Sequence, residues 1–276
     1  MKKHERYHAL KYTLVVLCFL GAISLLVGCK KTNEDVFWDA VEFTESSNSL
    51  ALLLSSTIIP PAGDYGLPEM EKVARGEIAG IDKDRFFYMS MYPQNLDPLF
   101  NLSAERFLFD YDESGDNSFD IYPAFVSNVS NYNFELEDFY ADVINQQRSL
   151  AAIQVGNLIR YKSGFLEMYV KLKYRSNFSE NHAVAVYVYE KQKVASQSTI
   201  ADGVVDNYLH KNVFLDFVTS QYGSPISGTF SSGHESRLSF RYDYGEKDVN
   251  NLGILTVVYK LDSNNQPTGV HTVYRN

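Results

Sequence analysis

After residue 150 the chain reads almost wholly as β-strands, and that succession limits the possible folds more than any other feature of the sequence. In FLEMYVKLKY (165–174), Leu166, Met168, Val170 and Leu172 point one way while Glu167, Lys171 and Lys173 point the other. Such period-two alternation marks a strand with one face in a core. LSFRYDY (238–244) repeats the pattern with Leu238, Phe240 and Tyr242, whereas AVAVYVY (183–189) and LGILTVVYKL (252–261) are nearly continuous apolar runs. Runs of that kind suit strands at the centre of a sandwich. IQVGNLIRY, NVFLDFV and GVHTVYR extend the series, with turn signals such as DSNNQPTG between strands. An antiparallel β-sandwich over 150–276 is the expectation.

The number of strands is that of an immunoglobulin-like sandwich, although the Cys…Trp…Cys markers are missing. Before residue 150 the pattern is mixed. VFWDAVEF (36–43), RFFYMSMY (85–92) and PAFVSNV (123–129) read as strands. LPEMEKVARGEIAG (67–80) reads as a helix with Pro68 in its first turn and Gly80 just past its end. SAERFLFDY (103–111) is a short helix with Ser103 as cap. NFELEDFYADVINQQRS (133–149) places Leu136, Phe139, Tyr140 and Val143 at helical spacing behind Asn133. The expected fold is therefore α+β: a small α/β layer domain over 36–149 followed by the sandwich.

The first 28 residues read as an export signal. Lys2, Lys3, Arg6 and Lys11 precede an unbroken apolar run from Thr13 to Gly28. That run is shorter than the roughly 20 residues a spanning helix needs. It ends in Leu26-Val27-Gly28-Cys29, which resembles a bacterial lipobox. The resemblance implies cleavage before Cys29 and acylation of its sulfur and new amino group, so that Cys29 is a membrane hook. Each buried methylene of such chains contributes about 0.8 kcal/mol, and several chains anchor firmly where one does not. Cys18 leaves with the signal, and residues 29–35 form a polar tether. The residue after Cys29 is Lys30, not Asp, which favours the outer membrane as the destination. The signal carries a net charge of +3, so the remaining chain carries −12 against −9 for the whole. An acidic surface argues against nucleic acid, and against anionic lipid as a direct partner beyond the lipid anchor itself.

In the second half, VYVYEKQKVASQ, DNYLHKNVFLDFVTSQYGSPI and NLGILTVVYKLD follow one another in an order that resembles the twenty-eight-kilodalton outer membrane lipoprotein family of Bacteroides-type bacteria. The family's strand-end Glu, following Gln, His-containing stretch and Gly turn fall on Glu190, Gln197, His210 and Gly223. VEFT (41–44) resembles the family's entry into a thioredoxin-like domain, and DIYPAF makes Pro123 the counterpart of a structural cis-proline. The Cys-x-x-Cys-Pro of redox members is missing. Pro68 is kept, but Asp64 and Leu67 stand where cysteines could be. Neither forms a thiolate, so disulfide exchange is chemically impossible there. The resemblance thus implies a thioredoxin-like domain without redox cysteines.

Other chemistry is sparse. DYDESGDNSFDI (110–121) places Asp110, Asp112 and Asp116 around Gly115 as a calcium loop would, yet its twelfth residue is Ile121 rather than a bidentate acid. A solvated acidic turn is the simpler reading. The four histidines after the signal, His182, His210, His234 and His271, lie far apart without metal-site spacing. No nucleophile elbow or phosphate-binding glycine loop occurs, so no enzyme is expected and no cofactor beyond the lipid. The chain has 20 Tyr and 18 Phe, which suit sandwich cores and also wet binding surfaces. The expected role is a non-catalytic binding module on the outer membrane with an unidentified protein or glycan ligand. The alternative is a periplasm-facing assembly component that docks through the redox-dead domain.

Overall fold

The computed structural model describes residues 33–44, 49–109, 123–128, 131–133 and 135–276. Cys29, the stretch expected to be a signal and the acidic stretch with Asp110, Asp112 and Asp116 lie outside these residues. The chain divides into a short leading unit ending at Ala40 and a compact unit from Val41 to Asn276. In the leading unit, Asn33–Asp39 is a helix (α1) rather than the strand its β-rich residues suggest, and Trp38 is buried. Asp35 stands in its first turn, where an acid favours a helix start.

The second unit is mixed α+β and mostly sheet. Its elements in order are β1 (Ser49–Leu54), α2 (Leu67–Arg75), β2 (Phe86–Met91), α3 (Leu102–Phe109), β3 (Ala124–Asn128), β4 (Asn131–Asn133) and α4 (Leu136–Gln147). There follow β5 (Ile153–Lys162), β6 (Phe165–Tyr174), β7 (His182–Thr199), β8 (Gly203–Phe217), β9 (Ser224–Ile226), β10 (Glu235–Asp243), β11 (Leu252–Leu261) and β12 (Pro267–Arg275). A π-helical turn at Ala62–Gly66 leads into α2. That helix stops at Gly76, in the left-handed conformation with its N–H on Lys72 O and Val73 O, four residues before the expected Gly80. Asn101, rather than Ser103, caps α3, accepting from Ser103 N at 2.8 Å. Among the described residues no helix is long and apolar enough to cross a membrane.

The change of pattern near residue 150 marks a change in element type but no break in the sheet. One large sheet runs β12-β11-β7-β8-β2-β1-β3-β4, with β9 on β7, and a second sheet runs β10-β6-β5. β1 and β2 are parallel, and β3 is antiparallel to β1. The join is slight: β8 meets β2 in parallel through one bridge, Ser90 to Val213.

Among the described residues, three cores hold these layers. The alternation of β2 sends Phe86 and Tyr88 to one face, where they meet Met70 and Val73 of α2 and Phe139 and Val143 of α4. Phe87, Met89 and Met91 go to the other face and pack with Tyr187, Leu255, Tyr259 and Val273. The large sheet therefore curls until its β11–β12 end covers β1 and β2. The outer face of β7 and β11, with Val184, Val186, Val188 and Ile254, packs on Val155, Met168 and Leu172 of the small sheet. Strand β1 is consequently buried on both faces along its whole length, and each fully buried leucine there contributes about 1.5–3 kcal/mol.

Gly223 shows why one turn needs glycine. It has φ 90°, and a Cβ there would sit 2.4 Å from the Val184 backbone. Gly223→Ala is expected to lower stability by about 2–4 kcal/mol, combining left-handed strain with overpacking. An unchanged urea midpoint would show that the turn lifts off β7 without cost.

Candidate functional site

In open α/β sheets ligands bind beyond the carboxyl ends of the parallel strands. Here that place is the loop after β1, residues 55–61, and the protein fills it with its own side chains. Asp97, 5% exposed, accepts from Thr57 N at 2.6 Å, Thr57 Oγ1 at 2.9 Å and Leu99 N at 2.8 Å. Ser56 Oγ shares itself between Gln94 Oε1 and Asp97 Oδ2. From the far side the β7–β8 ribbon closes over the loop. Gln197 Nε2 donates to Ser56 O at 3.1 Å and Ser198 O at 2.9 Å, and Ser198 N donates to Thr57 O at 2.7 Å. A Cβ on Gly63 would stand 2.3 Å from Ser198 O, so the turn before α2 has no spare room.

His210 completes this plug. Its Nδ1 is 2.7 Å from Tyr92 Oη, and the ring is fully buried. Burial pushes its pKa down to about 4, with nearby Asp97 pulling weakly the other way. The imidazole is thus neutral at pH 7 and bonded to a phenol that burial keeps protonated. Neither group is poised for proton transfer to a solvent-borne substrate.

Of the four residues that carry the resemblance drawn from the sequence, Gln197 and His210 converge on the plug and Gly223 packs on β7. Glu190 lies apart on β7, paired with Lys193 at 3.1 Å. Asp64 accepts from Ile200 N at 2.5 Å and Leu67 is buried, so both positions that cysteines could occupy are structural. Pro123 lies against Gly66, where α2 begins: a Cβ on Gly66 would be 3.1 Å from the proline Cβ.

The histidines that the sequence scatters are partly gathered by the fold. His182 and His271 flank Phe178, and Tyr174 stacks on Phe230 at 4.4 Å with His234 beside it. His182 bonds Tyr174 Oη at 2.8 Å and Glu180 O at 3.0 Å. Burial lowers the His182 pKa, and burial with Lys260 and His182 nearby lowers that of His271 to about 3. Glu180 Oε2 is 3.7 Å from His271 Nε2, but a neutral ring makes this a polar contact rather than an ion pair. Among the described residues no group of His, Cys, Asp and Glu is arranged to hold a metal ion.

An open pocket of about 290 Å³ lies elsewhere, beside the single bridge that joins β8 to β2. Glu71, Ala74 and Arg75 of α2, Phe86–Tyr88 of β2, Lys211 and Asn212 of β8, and Arg275 of β12 line it. The Glu71 carboxylate takes short hydrogen bonds from Tyr88 Oη and Lys211 Nζ. Asn212 has φ 51°, a left-handed backbone that asparagine tolerates better than most residues. The Arg275 guanidinium stands over the Phe87 ring, 5.7 Å from its centre. Sequence reasoning missed this site. Its residues come from four elements, and only the curl of the large sheet brings Arg275 to Phe87.

No family model matches the chain, and no curated protein matches it. Among solved structures, HBP35 of Porphyromonas gingivalis is similar, with a TM-score of 0.64 at 13% identity over 85% of this chain and 76% of that one. At that identity the likeness shows a shared fold alone.

Proposed function

We propose that the protein is an outer-membrane lipoprotein, held by lipid on Cys29, that acts as a non-catalytic binding or interaction module. The observation that carries this reading is the plug. The loop after β1, where an α/β sheet would do chemistry, is occupied by Asp97, Thr57, Gln197 and His210, all of them buried. The strand order β2-β1-β3-β4, with β3 antiparallel to β1, supports a thioredoxin-like arrangement for the first half. The two facing sheets support a sandwich-like second half. With its catalytic end plugged, such a scaffold keeps its stiffness and offers its surfaces.

The test combines anchorage with exposure. Cys29→Ala is expected to move the protein from the membrane fraction to the soluble envelope fraction, and an unchanged membrane fraction would overturn the lipid anchor. Protease added to intact cells is expected to digest the wild-type protein while a periplasmic control survives. Protection until lysis would instead favour the periplasm-facing assembly role, with envelope proteins as partners.

A further inference from the structure

The pocket beside β2 has the character of a ligand site rather than of leftover space. Its formal charge is positive in a chain of net −9: Arg75, Lys211 and Arg275 face it against Glu71. Arg75 is engaged by Glu77 at 2.5 Å outside the pocket and Lys211 by Glu71 within it, which leaves Arg275 as the pocket's leading cation with Lys211 beside it. Among the described residues no acid pairs with Arg275, and the Phe87 ring supports its flat face. A planar guanidinium held this way presents a fork suited to a carboxylate. Lys211 gives Glu71 one bond and keeps further donors.

We infer that the pocket binds a hydroxylated carboxylate the size of one acidic sugar residue, with Arg275 and Lys211 on the carboxylate and Glu71 and Asn212 on the hydroxyls. The volume is near the lower bound of ligand pockets, about 300 Å³, which suits one ring. Glu71 decides the rest. Fixed by Tyr88 and Lys211, its carboxylate accepts hydrogen bonds from neutral hydroxyls and repels a second negative charge. The site therefore prefers a singly charged polyol acid to phosphate, and the Asn212 amide adds one more donor and acceptor pair. Ala74 and the edges of Phe86 and Phe87 make up the apolar part of the lining. The inference rests on the binding-module reading and names its ligand class, yet it stands or falls separately, because the anchorage and exposure tests do not depend on the pocket.

Calorimetric titration of the purified full-length protein with glucuronate, glucose and inorganic phosphate tests it. Saturable glucuronate binding is expected, with glucose and phosphate each at least tenfold weaker. Arg275→Gln, a change at an exposed position, is expected to weaken glucuronate binding tenfold or more with an unchanged thermal midpoint. Asn212→Ala is expected to weaken it less. No saturable glucuronate binding, phosphate binding as tight as glucuronate, or wild-type affinity in Arg275→Gln would each overturn the assignment. A glucuronate-terminated disaccharide separates the sources of this chemistry: tighter binding than the monosaccharide assigns the end of a glycan, and equal or weaker binding assigns the free sugar acid.

Discussion

Replacing Asp97 with alanine is expected to cost about 3–5 kcal/mol of folding stability, more than any surface change in this protein. The carboxylate is buried and takes the backbone N–H of Thr57, the Thr57 hydroxyl and the N–H of Leu99. Truncation leaves those donors without partners in a place water does not reach, and each such orphan costs about 1–3 kcal/mol. The loop they hold is the one that Gln197 clamps from above, so its loosening also releases the β7–β8 ribbon. Asp97→Asn keeps one acceptor oxygen and is expected to lose about half as much. Urea denaturation followed by far-ultraviolet circular dichroism measures both, and a loss below about 1 kcal/mol for the alanine variant would mean that the loop finds other partners.

Acid is expected to unfold the protein more readily than its carboxylates alone require. His210, with a folded-state pKa of about 4, and His271, at about 3, both lie below the ordinary histidine value of 6.5. The sign follows from proton counting. Between pH 6.5 and those lower values the unfolded chain binds more protons than the folded one, so stability falls as pH falls. Above pH 6.5 both states hold neutral rings and the effect vanishes. Between pH 7.5 and pH 5 each ring accounts for a loss of about 2 kcal/mol. His182 shifts the same way. The check is the difference in unfolding free energy between those two pH values. His210→Phe is expected to lose the Tyr92 hydrogen bond at both, and to shrink the difference by about 2 kcal/mol. A variant with the wild-type pH slope would show that the ring titrates normally in the folded protein.

Several elements were legible because one local rule dominated them. The alternation in 165–174 sends Leu166, Met168, Val170 and Leu172 to a core, and they are buried there. The apolar runs at 183–189 and 252–261 lie between two cores, as unbroken runs should. Pro68 and the periodicity after it locate α2, but two glycines were available to end it and the nearer one, Gly76, adopts the left-handed cap. SLALLL (49–54) went unread. Six residues of nearly uniform hydrophobicity have no period, so nothing local separates a buried strand from a buried helix. The site residues divide likewise. Gln197 and His210 were marked by the family resemblance, whereas Asp97, which ties the plug together, sits in the unremarkable stretch QNLDPLF.

The sequence by itself determined the strand-rich second half, the mixed first half and the absence of any cysteine after Cys29. Each of these is a property of residues within about ten positions of one another, where side-chain period and chemical identity suffice. Only the tertiary structure decided that the two halves share one sheet, that this sheet curls until Arg275 stands over Phe87, and that Gln197 and Asp97 both bond to Thr57 in the loop after β1. Those juxtapositions join residues 40 to nearly 190 positions apart. They are set by which faces of β1, β2, β7 and β11 must be buried together, and burial is a property of the whole chain.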